Sequence, residues 1–276
     1  MNNLAQRTLS GVILIAVVSG ALIFSQFTYI LLFLVILTAG LLEFFQIMTY
    51  KDTRPHTEFG IVIGIFLFIS SYLQAKNIMD EKIYILTIPI FAGLFISEIY
   101  RKEKHPFDNL GNTFLGIIYI AIPISLVNYL VIKGGQHDYY PYVVMGIMAL
   151  LWTYDTIAYI IGYLAGKNPL FSRISPRKTW EGVLGGSVFT FLAAWGISSI
   201  EHSIQTIDWL VIALIIIIFG TFGDLLESLL KRQVGLKDSG KLLPGHGGVL
   251  DRFDSLLFSI PIIFTYLEFV NTSGIF

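Results

Sequence analysis

The sequence contains no cysteine, and charged residues make up only 13% of it. The absence of cysteine excludes disulfide bonds, thiolate metal sites and a cysteine nucleophile. Ordinary soluble domains carry about 25% charged residues, whereas 55% of these 276 residues are hydrophobic. The scarcity of charge therefore excludes a typical soluble domain and indicates a protein embedded in a lipid bilayer.

Nine apolar stretches are long enough to cross a membrane, because a helix of about 20 apolar residues spans the hydrocarbon core. A helix also pairs its backbone N–H and C=O groups with each other, which is necessary because the hydrocarbon core offers them no hydrogen-bond partners. The sequence therefore predicts an all-α, polytopic integral membrane protein with about nine transmembrane helices. They are expected near 8–24, 28–48, 59–75, 83–99, 112–132, 141–163, 181–200, 207–230 and 254–270. The first stretch could be a signal peptide, but no clear cleavage site follows it, and we expect a retained helix.

Lysine and arginine are strongly biased to one side of the nine predicted helices. Such residues are retained on the cytoplasmic side of a membrane. The bias predicts a cytoplasmic amino terminus, an outside carboxyl terminus, and cytoplasmic loops near 164–180 and 231–253. Fifteen of the 18 basic residues lie on the cytoplasmic side in this arrangement, and the other side holds Lys76, Lys82 and Lys133.

Polar residues are concentrated in the second half of the chain. Residues 1–140 form apolar helices with short links, and Glu43 and Glu98 near the span ends are expected to lie at headgroup level or to make packing hydrogen bonds. Residues 141–276 contain the polar segments in which chemistry could occur. Because no linker to a soluble domain is evident, we predict one membrane domain over 1–276 with its catalytic half at 141–276.

One carboxylate, Asp155, lies deep within an apolar span, with Tyr159 one helical turn later on the same face. Insertion of a carboxylate at the centre of a membrane helix costs about 2.5–3.5 kcal/mol. Asp155 is therefore expected to face a polar cavity, a cation or a partner. A structural hydrogen bond between helices is the alternative.

The segment between the sixth and seventh predicted helices is rich in positive charge, with Arg173, Arg177 and Lys178. Ser175 or Thr179 can cap the helix that follows, and a helix start offers free N–H groups to an anion. Together with the cations, these groups could hold phosphate oxygens through charge-assisted hydrogen bonds. A basic loop that only sets topology is the alternative.

The strongest polar pattern runs over 223–254. One face of the eighth predicted helix carries four polar residues at three- and four-residue spacing: Asp224, Glu227, Ser228 and Lys231. The turn at 244–248 places three glycines around one histidine, and its N–H groups could form an anion-binding nest. A charged loop that only solvates two helix ends is the alternative, but such a loop does not require these glycines.

These residues suit phosphate chemistry better than acyl transfer, because several carboxylates and cations occur without a serine–histidine–acid pattern. Carboxylate oxygens suit Mg²⁺, whereas five scattered histidines without cysteine give no zinc-site spacing. A phosphate that attacks another phosphate is already an anion. Catalysis then consists of positioning and of neutralisation of charge.

A family resemblance rests on these residues. The run Ser228-Leu-Leu-Lys231-Arg232, then Lys237-Asp238-Ser-Gly240, then Leu243-Pro-Gly-His246-Gly247-Gly248-Val-Leu-Asp251-Arg252-Phe-Asp254 resembles the signature of phosphatidate cytidylyltransferases at every fixed position. Asp155 with Tyr159 and Gly162, the stretch 175–182 and the stretch 223–228 resemble the same family in the same order. The resemblance covers about residues 150–254.

The resemblance implies transfer of CMP from CTP to phosphatidate, which gives CDP-diacylglycerol and pyrophosphate in phospholipid biosynthesis. It implies Mg²⁺ held by Asp224 and Asp251, with room for a second cation, and a homodimer. We expect an active site on the cytoplasmic face of the inner membrane and no nucleic-acid partner. The expected catalytic residues are Asp224, Asp251, Lys231, Arg232, Lys237, Asp238 and His246. The expected substrate-binding residues are Asp155, Ser175, Arg177, Lys178, Thr179, Ser228, Gly247, Gly248 and Arg252.

Two other functions remain open from the sequence. A CTP-dependent enzyme that acts on a polyprenyl or ether lipid would need the same kinds of residue. An ion-coupled transporter also carries intramembrane acids, but its polar residues should cluster near the bilayer midplane. Here most of them lie in loops on one predicted face, which favours a surface enzyme.

The absence of native cysteine allows a direct test of the predicted topology. Single cysteines in place of Ser172, Lys241 or Gly274 are treated with a membrane-impermeant thiol reagent on intact cells. We expect Gly274→Cys to react and the other two to react only after the membrane is opened. Labelling of Lys241→Cys in sealed cells would overturn the orientation.

Overall fold

The structure is a computed structural model that describes residues 3–49, 52–133, 138–236, 239–240 and 247–270. Three of the residues expected to be catalytic, Lys237, Asp238 and His246, lie outside the described residues. The labelling positions Lys241 and Gly274 lie outside them as well.

Nine long helices occupy the nine predicted positions within the described part of the chain. Helix α4 begins with a 3-10 segment at Glu81–Leu86, and helices α5 and α8 contain π-helical turns at Ile117–Ala121 and Ile216–Gly220. The nine are α1 (Asn3–Phe24), α2 (Gln26–Met48), α3 (Thr57–Ala75), α4 (Glu81–Arg101), α5 (Pro106–Leu130), α6 (Tyr142–Ala165), α7 (Trp180–Ser198), α8 (Thr206–Gln233) and α9 (Leu250–Val270).

Seven of these helices, α2 to α6, α8 and α9, are long and apolar enough to cross a membrane. Helix α1 contributes the shorter apolar segment Gly11–Phe24. The prediction of a helical, polytopic membrane protein is therefore confirmed. The count of nine spans and the sides on which the termini lie stay predictions.

Two short antiparallel hairpins interrupt the helical architecture, and the sequence did not predict them. Strand β1 (Ile132–Lys133) pairs with β2 (Asp138–Tyr139). Strand β3 (Pro169–Phe171) pairs with β4 (Ser175–Thr179), so that Phe171 lies opposite Ser175. The second hairpin lies within the basic segment that was expected to be a loop, and its strand pairing gives that segment regular structure.

The chain divides into two compact units. Unit 1 comprises the described residues of Met1–Tyr139 and Asp238–Arg252, and unit 2 comprises those of Tyr140–Lys237 and Phe253–Phe276. Unit 1 therefore contains α1 to α5 and the first hairpin, whereas unit 2 contains α6, α7, α8, most of α9 and the second hairpin. The single membrane domain expected over 1–276 stays a prediction.

The core of unit 1 is formed by apolar residues of α2, α3 and α5, such as Phe33, Leu37, Phe68 and Ile120, all fully buried. Asn128 on α5 is also fully buried. It donates to the carbonyl oxygen of Phe68 (2.8 Å) and accepts from the hydroxyl of Tyr29 (2.6 Å). A buried amide without partners would cost several kcal/mol in lipid, so these bonds are a condition for the packing of the three helices.

Glu98 on α4 makes the packing hydrogen bonds that were one of its two expected roles. The carboxylate accepts from Asn109 Nδ2 (2.9 Å) and Arg101 Nη1 (3.2 Å), and it pairs with His56 Nε2. Burial and the charge of Arg101 hold the pKa of His56 below its usual value, although Glu98 acts in the opposite direction. The network ties α4, α5 and the start of α3 together.

In unit 2, α6 and α7 lie in close backbone contact because small residues face each other. A Cβ added to Gly182 on α7 would lie 2.6 Å from the carbonyl oxygen of Ala158 on α6. Glycines at such crossings let membrane helices approach closely. This contact fixes the point at which α7 begins, and therefore the position of the hairpin that precedes it.

We predict that Gly182→Ala lowers the midpoint of thermal unfolding in detergent, because the added methyl group forces the two helices apart. Overpacking of this kind costs about 1–3 kcal/mol. Gly196→Ala is the matched control, since it lies on the same helix with nothing within 4 Å of its added Cβ. Equal melting temperatures for the two variants would contradict the close contact.

Candidate active site

The polar face of α8 has the contacts that its spacing predicted. The hydroxyl of Ser228 donates to Asp224 Oδ1 (3.3 Å), and Lys231 forms an ion pair with Glu227 four residues earlier. Glu227 is fully buried, and Lys231 is 8% exposed. A buried carboxylate is tolerated when a counter-charge is close, so this pair allows α8 to carry an acid within its packed face.

Helix α9 adds a third carboxylate, that of Asp254. A Cβ on Gly223 would lie 2.6 Å from the carbonyl oxygen of Asp254, so the glycine lets α8 and α9 meet backbone to backbone. As a result, Asp224, Glu227 and Asp254 each offer an oxygen within 4.8 Å of the others. These three residues are called the acidic cluster below.

Lys178, on strand β4, supplies positive charge to the acidic cluster through an ion pair with Asp224. Burial alone would lower the pKa of Lys178, but Asp224, and then Asp254 and Asp155, outweigh it and raise the pKa. Lys178 is therefore a stable cation at neutral pH. Two lysines, Lys178 and Lys231, are therefore paired with two of the three carboxylates of the acidic cluster, Asp224 and Glu227.

The position of Lys178 is fixed by the residues that follow it. Thr179 is the N-cap of α7, and its hydroxyl accepts from the backbone N–H of Gly182 (3.2 Å). Glu181 accepts from the backbone N–H groups of Lys167 and Asn168 (3.2 Å each), and from Asn168 Nδ2 (2.7 Å). Both ends of the second hairpin are thereby tied to the start of α7. Of the two caps that the sequence allowed, Thr179 is the one formed.

The remaining candidates of unit 2 are mostly exposed. Asp155 is exposed on α6 although most of that helix is apolar, and Tyr159 one turn later is 69% exposed. Arg177 is exposed on β4, where Ser175 is half-buried. Arg232, also exposed, donates to the carbonyl oxygen of Leu236 (3.1 Å).

Four further candidates belong to unit 1 and have contacts of their own. The carboxylate of Asp251 accepts from the backbone N–H groups of Ser239 (3.0 Å) and Gly248 (2.8 Å). Gly247 has a φ of +83°, a left-handed conformation that favours glycine. Arg252 is exposed at the start of α9. The roles of all these residues stay predictions.

The donors of the acidic cluster are all carboxylate oxygens, which fit a hard divalent cation and not a soft one. The residues present therefore fit a cation of this class.

Sequence reasoning did not include Glu227 or Asp254 among the metal ligands. The signal for Glu227 was present in its three-residue spacing from Asp224, which places both on one face of α8. Asp254 carries no such local signal, because its approach to α8 depends on the packing of two helices at Gly223.

These helices and this cluster define a polytopic membrane protein with a charged site that is competent to bind a cation. The chain matches the cytidylyltransferase family over residues 5–270. It is 31% identical over 285 residues to the phosphatidate cytidylyltransferase of Haemophilus influenzae, covering 96% of this chain and 99% of the relative. It is 31% identical over 274 residues to that of Bacillus subtilis, covering 97% and 98%. A third relative of that name, from Thermotoga maritima, is 31% identical with 84% of each chain covered.

The chain belongs to the cytidylyltransferase family, and it is a nucleotidyltransferase. Within that family it groups with the phosphatidate cytidylyltransferases, which confirms the resemblance found in the sequence. The match extends over the amino-terminal helices, where the sequence showed only a general likeness.

We predict that Lys178→Ala raises the apparent KM for a phosphate-bearing substrate or lowers the turnover of cytidylyl transfer. A charge-assisted hydrogen bond contributes about 1.5–3 kcal/mol, so kcat/KM should fall by about one to two orders of magnitude. Lys167→Ala is the matched control, since it removes an exposed cation from the same connection between α6 and α7. Initial rates that are unchanged for Lys178→Ala with every substrate would leave the hairpin a purely topological role.

Proposed function

We propose that this protein transfers the CMP group of CTP to phosphatidate and releases pyrophosphate, so that CDP-diacylglycerol is formed. The observation that carries the proposal is the end-to-end similarity to proteins named phosphatidate cytidylyltransferases. The acidic cluster with its two lysines supports it, because it combines cation ligands with phosphate-binding cations.

In this reaction an oxygen of the phosphatidate phosphate attacks the α-phosphorus of CTP, and the bond to the β-phosphate breaks. The attacking oxygen is already anionic, so no side chain has to remove a proton. The protein must bring two anions together, which costs electrostatic free energy unless cations lie beside them. Lys178 suits this role because its neighbours keep it charged.

The second hairpin is the proposed phosphate-binding element. Its exposed Arg177 and the start of α7 offer a guanidinium and backbone N–H groups to phosphate oxygens. Ser175, Thr179, Ser228 and Asp155 complete the proposed substrate contacts in unit 2. In unit 1 the proposed contacts are Gly247, Gly248 and Arg252.

Mg²⁺ is the proposed cation, with Asp224 and Asp251 as its ligands and the acidic cluster as a source of further oxygen donors or of a second cation site. When bound, it would neutralise phosphate charge and polarise the leaving pyrophosphate. Asp251 is already oriented by two backbone N–H groups, whereas Asp224 shares its charge with Lys178. The remaining signature residues, Lys231, Arg232, Lys237, Asp238 and His246, are proposed to act in the same reaction.

The proposed location is the inner membrane, with the site open to the cytoplasm, where CTP is available. The unequal distribution of lysine and arginine supports this orientation. A homodimer is proposed from the family resemblance.

Purified protein in detergent micelles, given labelled CTP, phosphatidate and Mg²⁺, should form CDP-diacylglycerol and pyrophosphate in equal amounts. A polyprenyl phosphate and an ether-linked phosphatidate are tested as alternative acceptors under the same conditions. Conversion of a competing acceptor without conversion of phosphatidate would refute the proposed substrate.

The same assay tests whether Asp224 binds the metal ion, by comparison of two variants on helix α8. Asp224→Asn should lower turnover at least ~100-fold, the scale of one preorganised electrostatic contact, and should move the Mg²⁺ dependence to higher concentration. Asp208→Asn is the control, because Asp208 binds the hydroxyl of Tyr266 (2.8 Å) and lies outside the acidic cluster. Superimposable Mg²⁺ curves for wild type and Asp224→Asn would exclude Asp224 as a ligand.

A further inference from the structure

Glu43 on α2 is a buried carboxylate, 2% exposed, with an unusual set of partners. Its Oε1 accepts from the backbone N–H of Val249 (2.9 Å), and its Oε2 accepts from the backbone N–H of Leu250 (2.9 Å) and the hydroxyl of Ser239 (3.2 Å). Val249 and Leu250 are the point at which α9 begins. The carboxylate therefore occupies the position of an N-terminal cap, where the helix dipole favours a negative charge.

Two carboxylates bind the same two backbone segments. Ser239 donates its hydroxyl to Glu43 and its backbone N–H to Asp251 (3.0 Å). On the other segment, Gly248 donates to Asp251 (2.8 Å) while Val249 donates to Glu43. Residue 239 is thus held beside residues 248–250, and Asp251 is held at the same place.

Glu43 lies so close to Gly240 and Gly248 that a side chain at either position would force a shift. An added Cβ would lie 2.8 Å from Glu43 Cδ at Gly240 and 2.7 Å from it at Gly248. Among the described residues, the hydrogen-bond partners of Glu43 are all neutral donors, unlike those of Glu98, which include Arg101. The negative charge of Glu43 is therefore balanced by oriented N–H and O–H dipoles that come from the signature segment itself.

We propose that Glu43 is a positioning residue for the transfer reaction. Its carboxylate holds the segments at 239 and 248–250 together at the start of α9 and thereby fixes Asp251. This inference rests on the proposed function, in which Asp251 is a metal ligand. By this inference helix α2, which is far from the signature segment in sequence, helps to position Asp251.

Replacement of Glu43 has a defined chemical consequence at the two segments. Alanine removes both acceptors and leaves the N–H groups of Val249 and Leu250 without their partner. Glutamine keeps the size and one oxygen, but its NH₂ group faces either Val249 N–H or Leu250 N–H, and two donors repel. The glutamine variant should therefore show a smaller effect in the same direction.

The first measurement is hydrogen–deuterium exchange of peptides that contain residues 248–250, without any substrate. Glu43→Ala should exchange faster there than wild type, with Glu43→Gln intermediate. Glu98→Gln is the matched control, because it neutralises another buried carboxylate of the same unit. It should lower thermal stability and leave exchange at 248–250 unchanged.

The second measurement is CDP-diacylglycerol formation as a function of Mg²⁺. Glu43→Ala should lower kcat at least about tenfold, because small displacements of reacting groups are costly, and should raise the Mg²⁺ concentration needed for half-maximal rate. A loss of folded protein would lower the rate but would not move the half-maximal Mg²⁺ concentration. Glu98→Gln should keep the wild-type Mg²⁺ dependence.

Wild-type exchange at 248–250 in Glu43→Ala, or faster exchange with unchanged kcat and Mg²⁺ dependence, would overturn the proposal. If neither Glu43 variant folds, Ser239→Ala decides, since it removes one contact of Glu43 and keeps the N–H bond to Asp251. In that case, an Mg²⁺ dependence of Ser239→Ala equal to that of wild type would contradict the positioning role of Glu43. Absence of any product from the wild-type enzyme would refute the proposed function instead. The hydrogen–deuterium exchange result would still show whether Glu43 holds residues 248–250.

Discussion

A carboxylate within apolar helices must find its compensating charge or hydrogen-bond donors inside the protein, because lipid supplies neither. Glu227 meets this constraint through Lys231, Asp224 through Lys178, and Glu98 through Arg101 and His56. Glu43 meets it through backbone N–H groups. The Glu227–Lys231 pair lies within α8, whereas each of the other solutions ties one helix to another segment and so helps to fix the arrangement of the helices in its unit.

The same constraint explains how the acidic cluster is stabilised. Lys178 and Lys231 stabilise the acidic cluster through ion pairs with Asp224 and Glu227. Removing one partner of such a pair leaves an uncompensated charge, which costs more than the pair contributes.

The positions of the helices could be predicted from the sequence because hydrophobic length alone determines them. The polar face of α8 was also predictable, since Asp224 and Ser228 are neighbours by helical spacing. Asp254 and Glu43 could not be assigned in this way. Their partners are far away in the chain, and only the packing of α8 on α9, or of residues 239 and 248–250 on α2, brings the groups into contact. The β3–β4 hairpin was not predicted, because the segment between the two helices was interpreted as a basic loop.

The π-helical turn at Ile216–Gly220 lies immediately before the face that carries Asp224. A π turn accommodates one residue more than an α turn, which amounts to a rotation of about 100° for everything that follows. This rotation sets the direction of the charged face of α8 relative to the buried residues of its first half, such as Ile212 and Ile216. In the resulting orientation Glu227 and Lys231 are buried, and Asp224 pairs with Lys178. A chain that lost a single residue here would keep its hydropathy and its length as a span, yet its charged side chains would point in another direction.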